Sequence, residues 1–202
     1  MRLKAKIAAG CLFACGLLSA DPPSCAPGTL ADYIALGAQG CNLNGNVFAN
    51  FSYAARAGGG ATAITADQIN VTPLRGCACA ARLNFSAPWS VDRDQTQDSV
   101  IRYTIVPPPG ATLPFQLQLT LGIAQVGGII GTVMVNESTN VGRISVFDRC
   151  TEVCQFKTNE SLNFDPVSVV LIRDHVSLLG GIGGASSVSL GRCWTAARSV
   201  CS

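Results

Sequence analysis

The segment Phe115-Gln116-Leu117-Gln118-Leu119-Thr120-Leu121 alternates apolar and polar residues without a fault. That period belongs to a β-strand with one buried face, because successive side chains point to opposite sides of a sheet. Ser99 to Val106, rich in β-branched residues, reads the same way, and Pro107-Pro108-Pro109-Gly110 stops it sharply. Further strand-length runs are Val47 to Tyr53, Gln68 to Thr72 ahead of Pro73, and Ala80 to Phe85 closed by Pro88. The series continues with Ile129 to Val135, Arg143 to Phe147, Val153 to Phe156, Val167 to Ile172 and Ser186 to Leu190. Short strands at regular spacing with Gly/Pro turns predict an all-β, antiparallel, jelly-roll-like β-sandwich. The one helical signal is Thr29-Leu30-Ala31-Asp32, a capping box ahead of a short N-terminal helix over Leu30 to Leu36.

The first 20 residues have a different logic. Arg2, Lys4 and Lys6 precede an uncharged apolar stretch, Ile7 to Leu18, and Leu18-Ser19-Ala20 supplies small residues for cleavage. This three-part pattern predicts a secretory signal peptide over residues 1–20. The apolar stretch is too short for a spanning helix, which needs about 20 residues. An alternative is lipoprotein processing before Cys15 within Leu12-Phe13-Ala14-Cys15, where Phe13 is bulky for the role. The expected organisation is then a single sandwich domain over 21–190 and an irregular tail over 191–202. No later run is long enough to span a bilayer.

Without Arg2, Lys4 and Lys6, the 14 basic residues fall to 11 against 12 acidic ones, a net charge of −1. A near-neutral chain with no run of Lys and Arg argues against nucleic acid and against a polybasic membrane patch.

Beyond the signal lie eight cysteines: Cys25, Cys41, Cys77, Cys79, Cys150, Cys154, Cys193 and Cys201. An even number in an exported chain reads as disulfides. Cys25 with Cys41 is the favoured local pair. Cys150 with Cys154 would close a tight turn, although either reaching Cys77 or Cys79 is an alternative. Cys193 with Cys201 would hold the tail. Zinc is disfavoured, because Cys77-Ala78-Cys79 has one intervening residue where structural sites use two to four. No metal or cofactor is expected.

Catalytic vocabulary is thin. His175 is the only histidine, and Asp174 precedes it. Neighbours on a strand face opposite ways, so Asp174 is badly placed to orient His175. There is no Gly-x-Ser-x-Gly nucleophile elbow either. A hydrolase is therefore the third reading. The second is a calcium-assisted carbohydrate- or protein-binding module, from the carboxylates of Asp92, Asp94 and Asp98. That stretch lacks the glycine and terminal glutamate of an EF-hand loop, and Arg93 adds opposing charge. Trp89, Tyr53 and Tyr103 suit either a sugar-stacking surface or the core, with the core favoured. Asn-x-Ser/Thr triplets at Asn50, Asn70, Asn84, Asn136 and Asn159 follow from the abundance of Ser and Thr.

Several segments together resemble a known group. They are Leu30 to Gly37 before Gly40-Cys41, Val47 to Tyr53, Ile69 to Pro73, Leu83 to Val91, Gln97 to Thr104 and Phe164 to Ser168. The chain resembles secreted bacterial proteins of unknown function associated with PEP-CTERM sorting by exosortase. Residues 191–202 lack the Pro-Glu-Pro element, apolar helix and basic end of that sorting tail, so free secretion is expected rather than anchoring. The resemblance implies an extracellular setting with polysaccharide or matrix protein as partner, and it carries no catalytic residues. The leading expectation is a secreted, non-enzymatic protein of the cell surface or matrix.

Overall fold

In the computed structural model, which describes residues 21–76, 79–112, 116–126, 131–181 and 185–195, two antiparallel sheets enclose one core. The expected signal peptide lies outside the described residues. The first sheet orders its strands β10 (Cys154–Lys157), β9 (Arg143–Cys150), β8 (Gly131–Thr139), β12 (Val170–Leu179), β6 (Thr96–Val106), β3 (Asn46–Gly58) and β2 (Cys41–Leu43). The second runs β1 (Gly28–Thr29), β4 (Asn70–Gly76), β5 (Cys79–Ser86), β13 (Ala185–Thr195), β7 (Gln116–Val126) and β11 (Asn159–Asn163). This is the all-β sandwich the alternation predicts. All four edge strands are short, which limits the unpaired backbone open to edge-to-edge association.

Burial along β6 alternates with every residue. Ser99, Ile101, Tyr103 and Ile105 face the core, and Asp98, Val100, Arg102 and Thr104 face out. On β12, Val170, Ile172, Val176 and Leu178 face in. Aromatic rings tie the elements together at the centre. Phe51 of β3 stacks on Tyr103 of β6 at 5.0 Å, and Tyr103 lies 6.1 Å from Phe85 of β5 in the other sheet. Trp89 is fully buried and donates from Nε1 to Ser99 Oγ at 3.0 Å, and Ser99 also bonds the Tyr53 hydroxyl at 2.8 Å. Trp89, Tyr53 and Tyr103 therefore serve the interior rather than a sugar platform.

The helix α1 (Leu30–Ala35) starts where its capping box predicts. Thr29 N donates to Asp32 Oδ2 at 2.7 Å, and Asp32 N donates back to Thr29 Oγ1 at 3.2 Å. Tyr33 then reaches inward, its ring edge-on to Phe51 at 5.1 Å and its hydroxyl donating to Ala26 O at 2.8 Å. The Cys25–Cys41 disulfide closes this unit onto β2, with Cys25 N bonded to Asn42 O at 2.9 Å. Crosslinks over loops of this size contribute roughly 3 kcal/mol. Cys150–Cys154 closes the β9–β10 hairpin. The side chains of Cys77, Cys79, Cys193 and Cys201 lie outside the described residues.

Several boundaries differ from the sequence reading. β4 continues through Pro73 to Gly76 rather than ending before it. The two-residue β1 covers only Asn70 and Val71, so Pro73 faces no ladder on that side, where a proline is tolerated. β13 extends through residues 191–195, so the start of the expected irregular tail is strand, paired with β5 and β7. Arg192 breaks the apolar alternation there, and sequence periodicity stops at it. β11 went unanticipated because Asn159-Glu160-Ser161-Leu162-Asn163 is polar, as suits a half-exposed edge strand. Asn44-Gly45 makes a two-residue hairpin between β2 and β3, both with positive φ (53° and 83°), the geometry favoured by an Asn-Gly pair.

Enclosure raises the Tyr33 pKa to about 12, and burial raises Tyr53 as well. The unfolded tyrosine ionises near its ordinary value of 10.0, so the folded state holds the proton longer. Stability from this source is complete below pH about 10 and falls as pH rises toward 12. Denaturant titrations of the wild type should show that alkaline loss. In Tyr33→Phe the pH slope across this window should be shallower, and an unchanged slope would locate the alkaline sensitivity elsewhere.

Candidate functional site

The outer face of the seven-stranded sheet holds the polar groups that the fold leaves over. Its centre is the ten-pair register between β6 and β12. Arg102 lies directly opposite Arg173, Val100 opposite His175, and Asp98 opposite Ser177. On the other side of β6, Ser52 pairs with Arg102, Ala54 with Val100, and Arg56 with Asp98. Arg102 and Arg173 thus meet from strands far apart in sequence, with Arg56 at the other end of the same depression, although the chain contains no basic run. Arg56, Arg102 and Arg173 are all exposed. Among the described residues, no carboxylate lies within ion-pair distance of them.

Two depressions meet at the arginine pair. One, of about 320 Å³, is floored by Ala54 and Val100 and rimmed by Arg56, Asp98, Arg102, Arg173 and His175. The other, of about 480 Å³, adds Asn50, Ser52, Ser138 and Asn140, with Leu171 half-exposed beside them. Both fall in the size range of small-ligand sites. Along β12 the stretch from Leu171 to Ser177 spans roughly 20 Å at strand rise. A β-bulge shapes one end. Register shifts between Ala49 and Ser52 of β3, and Asn50 adopts φ 56° there. Asn50 Nδ2 then donates to Thr104 Oγ1 at 3.1 Å, and Thr104 Oγ1 donates to Ala49 O.

His175 is oriented by a carboxylate that its sequence neighbours do not reveal. Its Nε2 bonds Asp98 Oδ1 at 2.8 Å, across the β12–β6 ladder. Ser177 Oγ donates to the same Oδ1 at 2.8 Å. Asp174 faces the opposite way, fully buried and in register with Glu137 of β8, also fully buried. So Asp174 does not orient His175, as the strand geometry implies. Ser, His and Asp are close together, but not as a relay. In a catalytic triad the hydroxyl bonds the imidazole, which removes its proton. Here the Ser177 hydroxyl gives its hydrogen to the carboxylate instead.

The three carboxylates that the calcium alternative would gather part company. Asp98 belongs to β6 and is engaged by His175 and Ser177. Asp94 pairs with Arg93 at 3.4 Å in solvent. Asp92 lines a separate depression of about 390 Å³ with Gln68, Gln95 and Gln97. The intervening turn is pinned by Gly180, whose N–H donates to Gln95 O and whose carbonyl accepts from Asp94 N. An added Cβ on Gly180 would meet Asp92 O at 1.7 Å, so only glycine permits this approach. Among the described residues, no group of three His, Cys, Asp or Glu side chains converges to hold a metal. The second reading would need Asp92, Asp94 and Asp98 together; Asp98 is instead a sheet residue, and the backbone turns the other two aspartates elsewhere.

No protein-family model matches this chain, and no curated protein sequence matches it. Among solved structures, it is similar to the carbohydrate-binding module TmCBM61, determined in complex with beta-1,4-galactotriose. That match has 13% identity and a TM-score of 0.33, and covers 69% of this chain and 86% of the other. At that level nothing about ligands is carried from one protein to the other. No helix among the described residues is long and apolar enough to cross a membrane.

The separation of Asp92, Asp94 and Asp98 has a direct check. Millimolar calcium, added and then chelated, should leave the melting temperature of the protein unchanged. A reversible rise on calcium addition would show that the carboxylates do gather around an ion.

Proposed function

We propose that this protein is a secreted, non-enzymatic β-sandwich that associates with extracellular polysaccharide through the outer face of its seven-stranded sheet. The observation that carries the reading is the pair of adjoining depressions across β3, β6, β12 and β8. They offer amides, hydroxyls and guanidinium groups on strands that a packed core holds rigid. Ligand sites of this kind need few convergent polar groups on a fixed scaffold. An extended, shallow strip suits a chain molecule better than a compact metabolite.

Export is supported by the signal-like N-terminus and by two disulfides, which persist in oxidising compartments. Kinship with the PEP-CTERM-associated proteins is part of the proposal and rests on the sequence segments alone. The absence of catalysis is also part of it. It is supported by the bonding of Ser177 to Asp98 rather than to His175.

Affinity electrophoresis through gels containing individual neutral and acidic polysaccharides tests the reading. Retardation by at least one polymer is expected, with no new reducing ends released. Ser138→Trp, which fills the strip from β8, should abolish the retardation at an unchanged melting temperature. Retardation by none of the polymers would remove the proposal. Retardation that survives Ser138→Trp would move the site to another face.

A further inference from the structure

We propose that the cross-strand pair Arg102–Arg173 is a carboxylate-recognition site, and that the ligand is an acidic polysaccharide built from uronate units. This rests on the polysaccharide reading and specifies its chemistry.

The pair is an anomaly in the energetics of the sheet. Directly opposed residues on a ladder hold their Cβ atoms about 5 Å apart, and like charges in that position are destabilising. A folded sheet normally relieves such a pair with a neighbouring acid. Here no described carboxylate lies within ion-pair distance of either guanidinium. Asp98, the acid on the same face, sits four residues along β6, roughly 13 Å from Arg102 at strand rise. Its Oδ1 is already bonded by His175 and Ser177. The repulsion between Arg102 and Arg173 is thus left in place, as expected where an external anion completes the arrangement.

The residue type narrows the anion. A guanidinium presents parallel N–H donors that match the two oxygens of a carboxylate, so two facing arginines can clamp one or two such groups. The surroundings narrow the carrier. Ser52 pairs with Arg102 on one side, Ser138 pairs with Arg173 on the other, and Asn50 stands a step away. Neutral hydroxyls and an amide flanking the charges suit sugar hydroxyls on either side of a uronate carboxylate. A nucleic-acid backbone fits less well. Its affinity comes from neutralising many phosphates, whereas three arginines line the depression on a chain with a net charge near zero.

Titration calorimetry on the full chain separates the outcomes. The ligands are uronate oligomers (galacturonate, guluronate–mannuronate and glucuronate-containing), each with its carboxyl-reduced counterpart, and a single-stranded DNA oligonucleotide. At least one uronate oligomer should bind, and reduction of its carboxyl groups should weaken binding roughly tenfold or more. The double variant R102A/R173A should lose as much, and R102K/R173K should not restore it, since lysine keeps the charge but lacks the fork. At low salt, R102A/R173A should also melt higher than the wild type, because the like-charge pair is gone. A merely structural arginine pair would melt lower.

If glycans bind but neither carboxyl reduction nor R102A/R173A matters, the arginine assignment fails and the polysaccharide reading stands. If no glycan binds, both fall. Tighter binding of the oligonucleotide than of every uronate oligomer would overturn the assignment in favour of nucleic acid.

Discussion

The antiparallel register between β6 and β12 is the constraint on which the rest of this protein depends. These are central strands of their sheet, and ten residue pairs lock them together. Tyr103, Ile101 and Ser99 of β6 then share the core with Ile172, Val176 and Leu178 of β12. The same register sets Arg102 against Arg173 and Asp98 beside His175 and Ser177 on the far side. A slip of one residue would exchange the two faces. It would bring the arginines into the core and the aromatic anchor into water, so one hydrophobic pattern specifies both the core and the outer face.

The core reinforces that register with polar as well as apolar contacts. Trp89 is anchored by its hydrogen bond to Ser99, and Ser99 links it to Tyr53. Tyr53 completes the chain by donating to Ile64 O at 3.0 Å. The Trp89 indole N–H and the Ser99 and Tyr53 hydroxyls each have a partner within this relay, which is how a sandwich tolerates hydroxyls in its interior. At the far edge, Glu160 of β11 accepts from Ser145 N of β9 and pairs with Lys157. Burial pushes its carboxyl up, but the hydrogen bonds and the charge of Lys157 outweigh that and hold it below the usual range. The edge strand that has least apolar character is therefore fastened to the opposite sheet by a carboxylate.

Much of the architecture is legible locally. The capping box at Thr29 and Asp32, the strand from Ser99 to Val106, the halt at Pro107–Gly110 and the Cys25–Cys41 pair are encoded locally, by period, turn chemistry or proximity. The chemistry of the outer face is different. His175 finds Asp98 at a separation of 77 residues, and no sequence adjacency signals it. Asp98 looks like part of a polar loop with Asp92 and Asp94 until β6 is seen to begin at Thr96. The arginines lie in three separate strands, and the overall charge conceals that they line one depression.

By itself the sequence determined the class of fold, the helix start, the strand character of β6 and the local crosslink. Each of these follows from side-chain period or from contacts between near neighbours. The tertiary structure alone decided which outward residues meet. Strand order and register are set by long-range pairing, and a polar residue on an exposed face carries no periodic mark of its partner. Hence Arg102 opposite Arg173, and Asp98 beneath His175, became visible only when β6 and β12 were laid side by side.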